Sequence, residues 1–425
     1  MSGSPSEATL EILLVDDSAT YRMILTRAVK GWPRGNLLGS AGDGEAALKI
    51  IAEKKPDLVL LDVSMPVLDG IETLKRIRAR WSDVDVVMCS GIDASQTGLT
   101  MQALSLGALD FLPKPQGDNP AESFAALSMA LYPLLDLALN RKTQRLARGS
   151  NLARSAPIAP AVPAAPSVPA FRSSLGLAPA VSEPSLRPRS GGLPPVPVRR
   201  APVAPPPVVP AAPLAPAAQP FAASGRRPPG RIDVLVVGVS TGGPNALHVF
   251  IPKLPADLPF PVLCVQHMPP LFTASLAERL DRDSALGVEE GVEGRKLENG
   301  RMYIAPGGHH MVVARASDGR LQIRLSDAAP VNSCRPAVDV LFRSVEEVVG
   351  GGVVSVILTG MGSDGASGVR GLRAKGAWNI AQDEASSVVW GMPGAVVQQG
   401  LADEILPLDR IADRIAELAR RGGAR

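Results

Sequence analysis

Apolar residues are arranged along this chain in short dense runs separated by longer amphipathic stretches. The runs at 10–15, 37–41, 58–62, 84–89 and 111–112 are rich in Val, Ile and Leu and too short for helices, so they predict strands. Between and after them, residues 19–30, 44–53, 71–80, 94–106 and 121–148 carry apolar positions at helical spacing. The same alternation restarts near residue 231. Strands are predicted at 232–237, 261–266, 302–305, 353–358 and 378–381. Helices are predicted from 245, over 272–280, from Arg335-Pro336-Ala337-Val338-Asp339 to 349, from Gly365 to 374, after Gly394 and from 408. Two further runs, 311–314 and 321–325, flank Ser317-Asp318-Gly319 and predict a hairpin. Strand alternating with helix implies parallel sheets covered on both faces, so the fold class is α/β, twice over.

The stretch between the two alternations, residues 142–229, has a different character. It is rich in Pro and Ala, with scattered Arg and few large apolar residues, and is expected to form a disordered or extended linker. A flexible coil of that length spans about 50 Å root-mean-square. The chain therefore divides into 9–141, the linker 142–229, and 230–425.

Composition narrows the function. The formal charge of the 425 residues is +3, with no dense basic face, which argues against a nucleic-acid partner. Cys89, Cys264 and Cys334 are scattered without a C-x-x-C pair, which points to a reducing compartment and away from zinc. The N-terminus has no apolar signal-peptide core, and the longest apolar patch, 124–139, contains Pro133 and Asp136 and is too short to span a bilayer. The expectation is a cytoplasmic protein that is not membrane-inserted.

In parallel α/β sheets, sites form outside the carboxyl ends of the strands. In the first half, Asp16, Asp17, Asp62, Ser90 and Lys114 all fall at such ends. Three carboxylates at one edge repel unless they share a hard cation, and an all-oxygen donor set favours Mg2+. A lysine and a hydroxyl beside them suit a phosphoryl group carried on one carboxylate. In the second half, Gly238-Val239-Ser240-Thr241-Gly242-Gly243 sets a serine on a glycine turn between a strand and a helix. That pattern suits a nucleophile elbow, a phosphate-binding turn or a merely tight turn. Ser240, His267 and Asp364 share strand-end positions and could supply a nucleophile, a base and an orienting carboxylate. Taken singly, His267 also suits a core histidine and Asp364 a helix cap.

Residues 9–140 closely resemble the receiver domain of response regulators. The resemblance rests on the Asp16-Asp17 pair, the buried-strand Asp62, Met65-Pro66 with Asp69-Gly70, and Lys114-Pro115. It implies a doubly wound, flavodoxin-like domain in which a histidine kinase phosphorylates Asp62. Asp16, Asp17, Asp62 and the Ser64 carbonyl would hold Mg2+, Ser90 and Lys114 would contact the phosphoryl group, and Phe111 would be the switch aromatic.

Residues 231–425 resemble the catalytic domain of chemotaxis protein-glutamate methylesterases, a mostly parallel α/β domain. The matching pieces are Gly-Val-Ser-Thr-Gly-Gly-Pro from Gly238, Gln-His-Met-Pro from Gln266, Tyr-Ile-Ala-Pro-Gly-Gly-His-His from Tyr303, Arg-Pro-Ala-Val-Asp from Arg335, Leu-Thr-Gly-Met-Gly-Ser-Asp-Gly from Leu358 and Trp-Gly-Met-Pro from Trp390. The resemblance implies Ser240 as nucleophile, His267 as base, Asp364 as orienting carboxylate, and Met361 N–H with the Thr241 region as oxyanion donors. It implies methyl-accepting chemotaxis receptors as substrates, methylesterase and glutaminase activities, a chemotaxis histidine kinase as phosphodonor, and no cofactor for the esterase. An unphosphorylated receiver would cover Ser240. Ala337 stands where the family often has serine, and the linker is longer than is usual in the family. A non-enzymatic anion-binding module, or an esterase serving a different signalling pathway, are the rival readings.

Overall fold

The first five apolar runs pair into one parallel sheet. In the computed structural model, which describes residues 8–115, 119–154 and 226–422, the elements of this half are β1 (Leu10–Val15), α1 (Ala19–Gly31), β2 (Gly35–Ala41), α2 (Gly44–Lys54), β3 (Leu58–Asp62), α3 (Gly70–Arg80), β4 (Asp85–Ser90), α4 (Ala94–Ser105), β5 (Asp110–Pro113) and α5 (Pro120–Arg154). The strand order is β2-β1-β3-β4-β5, all parallel. Every residue of β3 and β4 is buried, as expected for strands covered on both faces. Ser18 caps α1 by accepting from Tyr21 N, which leaves the carboxylates of Asp16 and Asp17 available for the sheet edge.

The second half continues with β6 (Val234–Val239), α6 (Gly243–Phe250), β7 (Val262–Gln266), α7 (Phe272–Asp283), β8 (Gly287–Glu290), β9 (Arg301–Ile304), β10 (His310–Arg315), β11 (Leu321–Ser326), α8 (Val338–Val348), β12 (Val353–Ile357), α9 (Ala366–Ala374), β13 (Trp378–Gln382), α10 (Met392–Gln398), β14 (Glu404–Leu406) and α11 (Leu408–Gly422). Seven of these strands form a parallel sheet in the order β14-β13-β12-β6-β7-β9-β8, and β10-β11 is the expected antiparallel hairpin. The central strands β12, β6 and β7 are buried throughout. Each Val, Leu or Ile buried there stabilises the fold by about 1.5–3 kcal/mol. The two sheet edges, β8 and β14, escape a reading of apolar runs. They are three or four residues long, carry Glu289, Glu290 and Glu404, and are partly exposed.

Helix α5 runs past residue 141, where the linker was expected to begin, to Arg154. Its later turns are tied to the first sheet by charge. Lys142 Nζ lies 2.7 Å from Asp57, and Arg145 lies 3.1 Å from Asp85. At 35 residues α5 is long and apolar enough to cross a membrane by length and composition. Here its face of Leu127, Leu131, Leu134, Leu135 and Ala138 is buried against the first sheet. The rest of the expected linker, 155–225, lies outside the described residues.

The two sheets belong to one compact unit. Helix α4 packs on α6 and α7, and Met101, Leu104 and Ala108 share an apolar cluster with Ala246, Phe272 and Leu276. The second domain also reaches upstream of residue 230. Arg226 makes paired 3.0 Å hydrogen bonds to the buried carboxylate of Asp403, and Arg373 also donates to its Oδ1 at 2.8 Å. Arg226→Ala should lower the stability of this domain by about 1–3 kcal/mol, because it takes a donor away from a buried carboxylate. Urea unfolding of the full chain would measure the loss.

Candidate functional site

Strand β6 lies between β12 and β7, and the site is built across the carboxyl ends of these three neighbours. Ser240 directly follows β6 and His267 directly follows β7. Their backbones are locked in register, because His267 N–H donates to Val239 C=O and Ser240 N–H donates to Thr359 C=O in the loop after β12. The turn after Ser240 needs its glycines. Gly242 has φ 73°, and a Cβ on Gly243 would sit 1.9 Å from Gln266 Oε1. The Gln266 amide donates to Ser240 C=O at 2.9 Å, which completes the fixing of the turn.

Asp364 lies several residues beyond β12, yet its carboxylate is the most highly connected group of the site. Oδ2 is 2.8 Å from His267 Nε2 and accepts from Val338 N at 2.7 Å. Oδ1 accepts from Asp339 N, Gly365 N and Asn332 Nδ2 at 2.9–3.1 Å. Asp364 therefore serves as the N-terminal cap of α8, not of the helix that follows it. Burial works to raise its pKa, but the His267 hydrogen bond, the imidazole's charge and the N–H donors outweigh burial and hold the carboxyl below its usual range. The partner effect appears on His267. Burial opposes its charging, but Asp364 and the Cys334 thiol together push its pKa up to about 9.

Ser240 and His267 are not hydrogen-bonded to each other. Among the described residues the N–H groups of Thr241 and Met361 have no protein acceptor, and both residues lie on the exposed side of the site. The other loop histidines do not join it. His310 is fully buried, with Nδ1 accepting from Ala337 N and Nε2 facing Ala329 C=O, so it cannot reach a ligand. Exposed His309 pairs with Asp327 at 2.6 Å.

The next N–H along the turn, that of Gly242, is already taken. It donates at 3.1 Å to Asp110 Oδ2, at the start of β5 in the first domain. Burial pushes the Asp110 carboxyl up to about 6, against the lowering effect of the Phe111 and Gly242 N–H groups. Phe111 stacks on Phe272 with ring centroids 4.5 Å apart, Asn245 Nδ2 donates to Ala108 C=O, and Arg279 donates to Ser105 Oγ. The motif reading did not single out Asp110. A carboxylate at a strand end was the available signal, but its partner lies 132 positions away.

The N-terminal cluster assembles as a second site. Asp16, Asp17 and Asp62 bring carboxylate oxygens within 4.8 Å of one another, and Lys114 Nζ contacts Asp16 at 2.8 Å and Asp62 at 2.9 Å. Burial raises the Asp62 pKa; Lys114 opposes this, and the Asp16 and Asp17 charges add to it. Carboxylates crowded in this way fit a hard divalent cation. Ser90 is buried beside them, with its hydroxyl donating to Gly91 C=O and accepting from Thr100. Ser64 lies exposed two residues beyond β3.

Residues 235–415 match the family described as CheB methylesterase, and residues 12–123 match the response regulator receiver domain. The chain is 39% identical over 99% of its length to a protein-glutamate methylesterase/protein-glutamine glutaminase of Maricaulis maris, covering 98% of that protein. It is 36% identical over 97% of its length to the same type of protein from Desulfotalea psychrophila, covering 99% of it. Among solved structures, the Thermotoga maritima CheB methylesterase catalytic domain aligns with 44% of this chain and 98% of its own, at 42% identity and a TM-score of 0.43.

The His267–Asp364 pair has a direct consequence in solution. An NMR titration should find the His267 imidazole losing its proton near pH 9. Asp364→Asn should bring that value down by removing the facing charge, and Cys334→Ala should also bring it down.

Proposed function

The chain belongs to the protein-glutamate methylesterase/protein-glutamine glutaminase family, and from that premise we propose that Ser240, His267 and Asp364 carry out its hydrolysis. The enzyme is regulated by its receiver domain. The substrates in this reading are glutamate γ-methyl esters on the cytoplasmic helices of methyl-accepting chemotaxis receptors. Receptor glutamines enter the same site for deamidation. The protein works in the cytoplasm. The observation that carries the reading is the 2.8 Å contact of His267 with Asp364, one strand over from a serine on a glycine turn.

The steps follow from these groups. Asp364 engages Nε2 of His267, so Nδ1 is the atom that takes the Ser240 proton. Ser240 Oγ attacks the ester carbonyl carbon, and the oxyanion is met by the Thr241 and Met361 N–H groups. Each such donor contributes about 3–4 kcal/mol. Collapse breaks the bond to the methoxy oxygen, which takes the proton from His267 and leaves as methanol. Water then attacks the glutamyl-serine ester while His267 accepts its proton and returns it to Ser240. The products are the receptor glutamate and free enzyme. With a glutamine substrate the first leaving group is ammonia. Asp364 stabilises the imidazolium formed in each half.

The receiver controls access. In the arrangement described, Asp110 holds the Gly242 N–H and Phe111 covers Phe272 beside the nucleophile turn. A substrate helix cannot enter while these contacts stand. Phosphorylation of Asp62 by a chemotaxis histidine kinase adds charge at the far end of β3 and engages Ser90 and Lys114. The rearrangement moves Phe111 and releases the interface. Asp16, Asp17, Asp62 and the Ser64 carbonyl would hold Mg2+, which supplies charge neutralisation for phosphoryl transfer. The tether then keeps the released receiver nearby at a local concentration set by its length.

Methanol release from methylated receptors, with an acyl-phosphate donor present, tests the assignment. Ser240→Ala should abolish release, by about 10⁶ on the scale of a well-studied serine hydrolase; retained release would remove Ser240 as the nucleophile. The base must be neutral to accept a proton, so turnover should rise with pH and level off above about 9. Phe111→Ala removes an aromatic pair worth about 0.5–1.5 kcal/mol beyond its buried area. It should raise the activity of the unphosphorylated chain several-fold, measured against the same chain with the phosphodonor.

A further inference from the structure

Residues 331–334 form a two-residue reverse turn that touches both Asp364 and His267. Val331 and Cys334 exchange backbone hydrogen bonds at 2.9 and 3.1 Å, and both central residues lie in the left-handed region, Asn332 at φ 53° and Ser333 at φ 62°. This is the geometry of a type I′ turn, which favours Asn first and Gly second. Ser333 stands in the glycine position, so the turn is held under backbone strain. The strained turn delivers one group inward. Asn332 Nδ2 donates to Asp364 Oδ1 at 2.9 Å and to Asp339 Oδ2 at 3.1 Å. At the end of the same turn, Cys334 interacts with His267.

The two carboxylates bridged by this amide are both buried, Asp339 at 4% exposure and Asp364 at 2%. Asp339 is tied on its other side to Gly368 N of α9 at 2.7 Å. Burial raises the Asp339 pKa, and the Asp364 charge raises it further. Two buried carboxylates this close repel and tend to share a proton. A donor placed between them offsets that repulsion, and a neutral amide does so without competing for the charge that Asp364 presents to His267.

We propose that Asn332 is a positioning residue of the esterase, whose amide separates Asp339 from Asp364 and keeps the Asp364 carboxylate plane turned so that Oδ2 faces His267. The inference rests on the assignment of His267 and Asp364 as base and orienting carboxylate. Asn332 touches neither substrate nor the reacting atoms; it acts through Asp364.

Two variants separate the amide from the turn. Asn332→Gly keeps the left-handed backbone and removes the amide. Asn332→Asp also tolerates that backbone and nearly preserves the side-chain volume, but it sets a third carboxylate against the other two. Urea midpoints of the full chain show which variants are folded, and Asn332→Asp carries the test if the glycine variant is not. Methanol release is measured with an acyl-phosphate donor, alongside Ser240→Ala. The expected result is a fall in kcat of about tenfold to a hundredfold in both variants, on the scale seen for groups that orient an active-site ligand, with KM for the receptor unchanged. The downfield proton resonance of the His267–Asp364 hydrogen bond, assigned by its loss in Asp364→Asn, should shift or disappear with it. If folded variants keep wild-type kcat and an unmoved resonance while Ser240→Ala is inactive, Asn332 serves the turn alone and the inference is overturned. Retained activity in Ser240→Ala would instead overturn the triad on which the inference rests.

Discussion

The C-terminal half of this protein depends on the hydrogen bonding of one buried carboxylate. Asp364 accepts from the first N–H groups of α8, from its own following residue, from Asn332, and meets His267. A buried charge without such partners is strongly unfavourable. Here the partners come from the N-terminus of a helix, where N–H groups are unpaired and the helix dipole favours an anion. The group that caps α8 and the group that meets His267 are the same carboxylate. The structure that holds α8 on the sheet therefore also sets the position of the imidazole.

The same physical rule operates at the interface. The turn after Ser240 exposes N–H groups at the start of α6, a natural place for an anion or an oxyanion. Asp110 of the first domain occupies one of them, and the adjacent Phe111 stacks on Phe272. The contact thus uses the kind of interaction that such a turn offers to an anion. Its cost is visible in the raised pKa of Asp110, a buried anion held by two N–H groups.

The receiver has its own crowded charge. Asp16, Asp17 and Asp62 lie together, with Lys114 paired to Asp16 and Asp62. Repulsion among the three is offset by the Lys114 ammonium, which contacts Asp16 and Asp62 directly. Between this cluster and the interface lies a short path. Lys114 and Phe111 are three residues apart, and Asp110 and Phe111 make the contacts with α6 and α7.

Much of this was legible in the sequence. The apolar runs predicted the central strands to within two residues, because a strand buried on both faces must be continuously apolar. The strand-end rule selected Ser240, His267, Asp62 and Lys114, because parallel sheets converge their carboxyl ends on one edge. Short edge strands such as β8 and β14 were invisible, since half-exposed backbone needs no apolar signature. The hold of α5 on the first sheet past residue 141 was hidden by composition, since Lys142 and Arg145 pair there with Asp57 and Asp85 across distant sequence. Only the tertiary structure made Asp364 the cap of a helix that begins 26 residues before it, set Asn332 between two carboxylates, and laid Asp110 on Gly242. Periodicity and turn chemistry are local and can be read along a chain. A hydrogen bond between distant residues depends on strand order, register and domain packing, which no local stretch encodes.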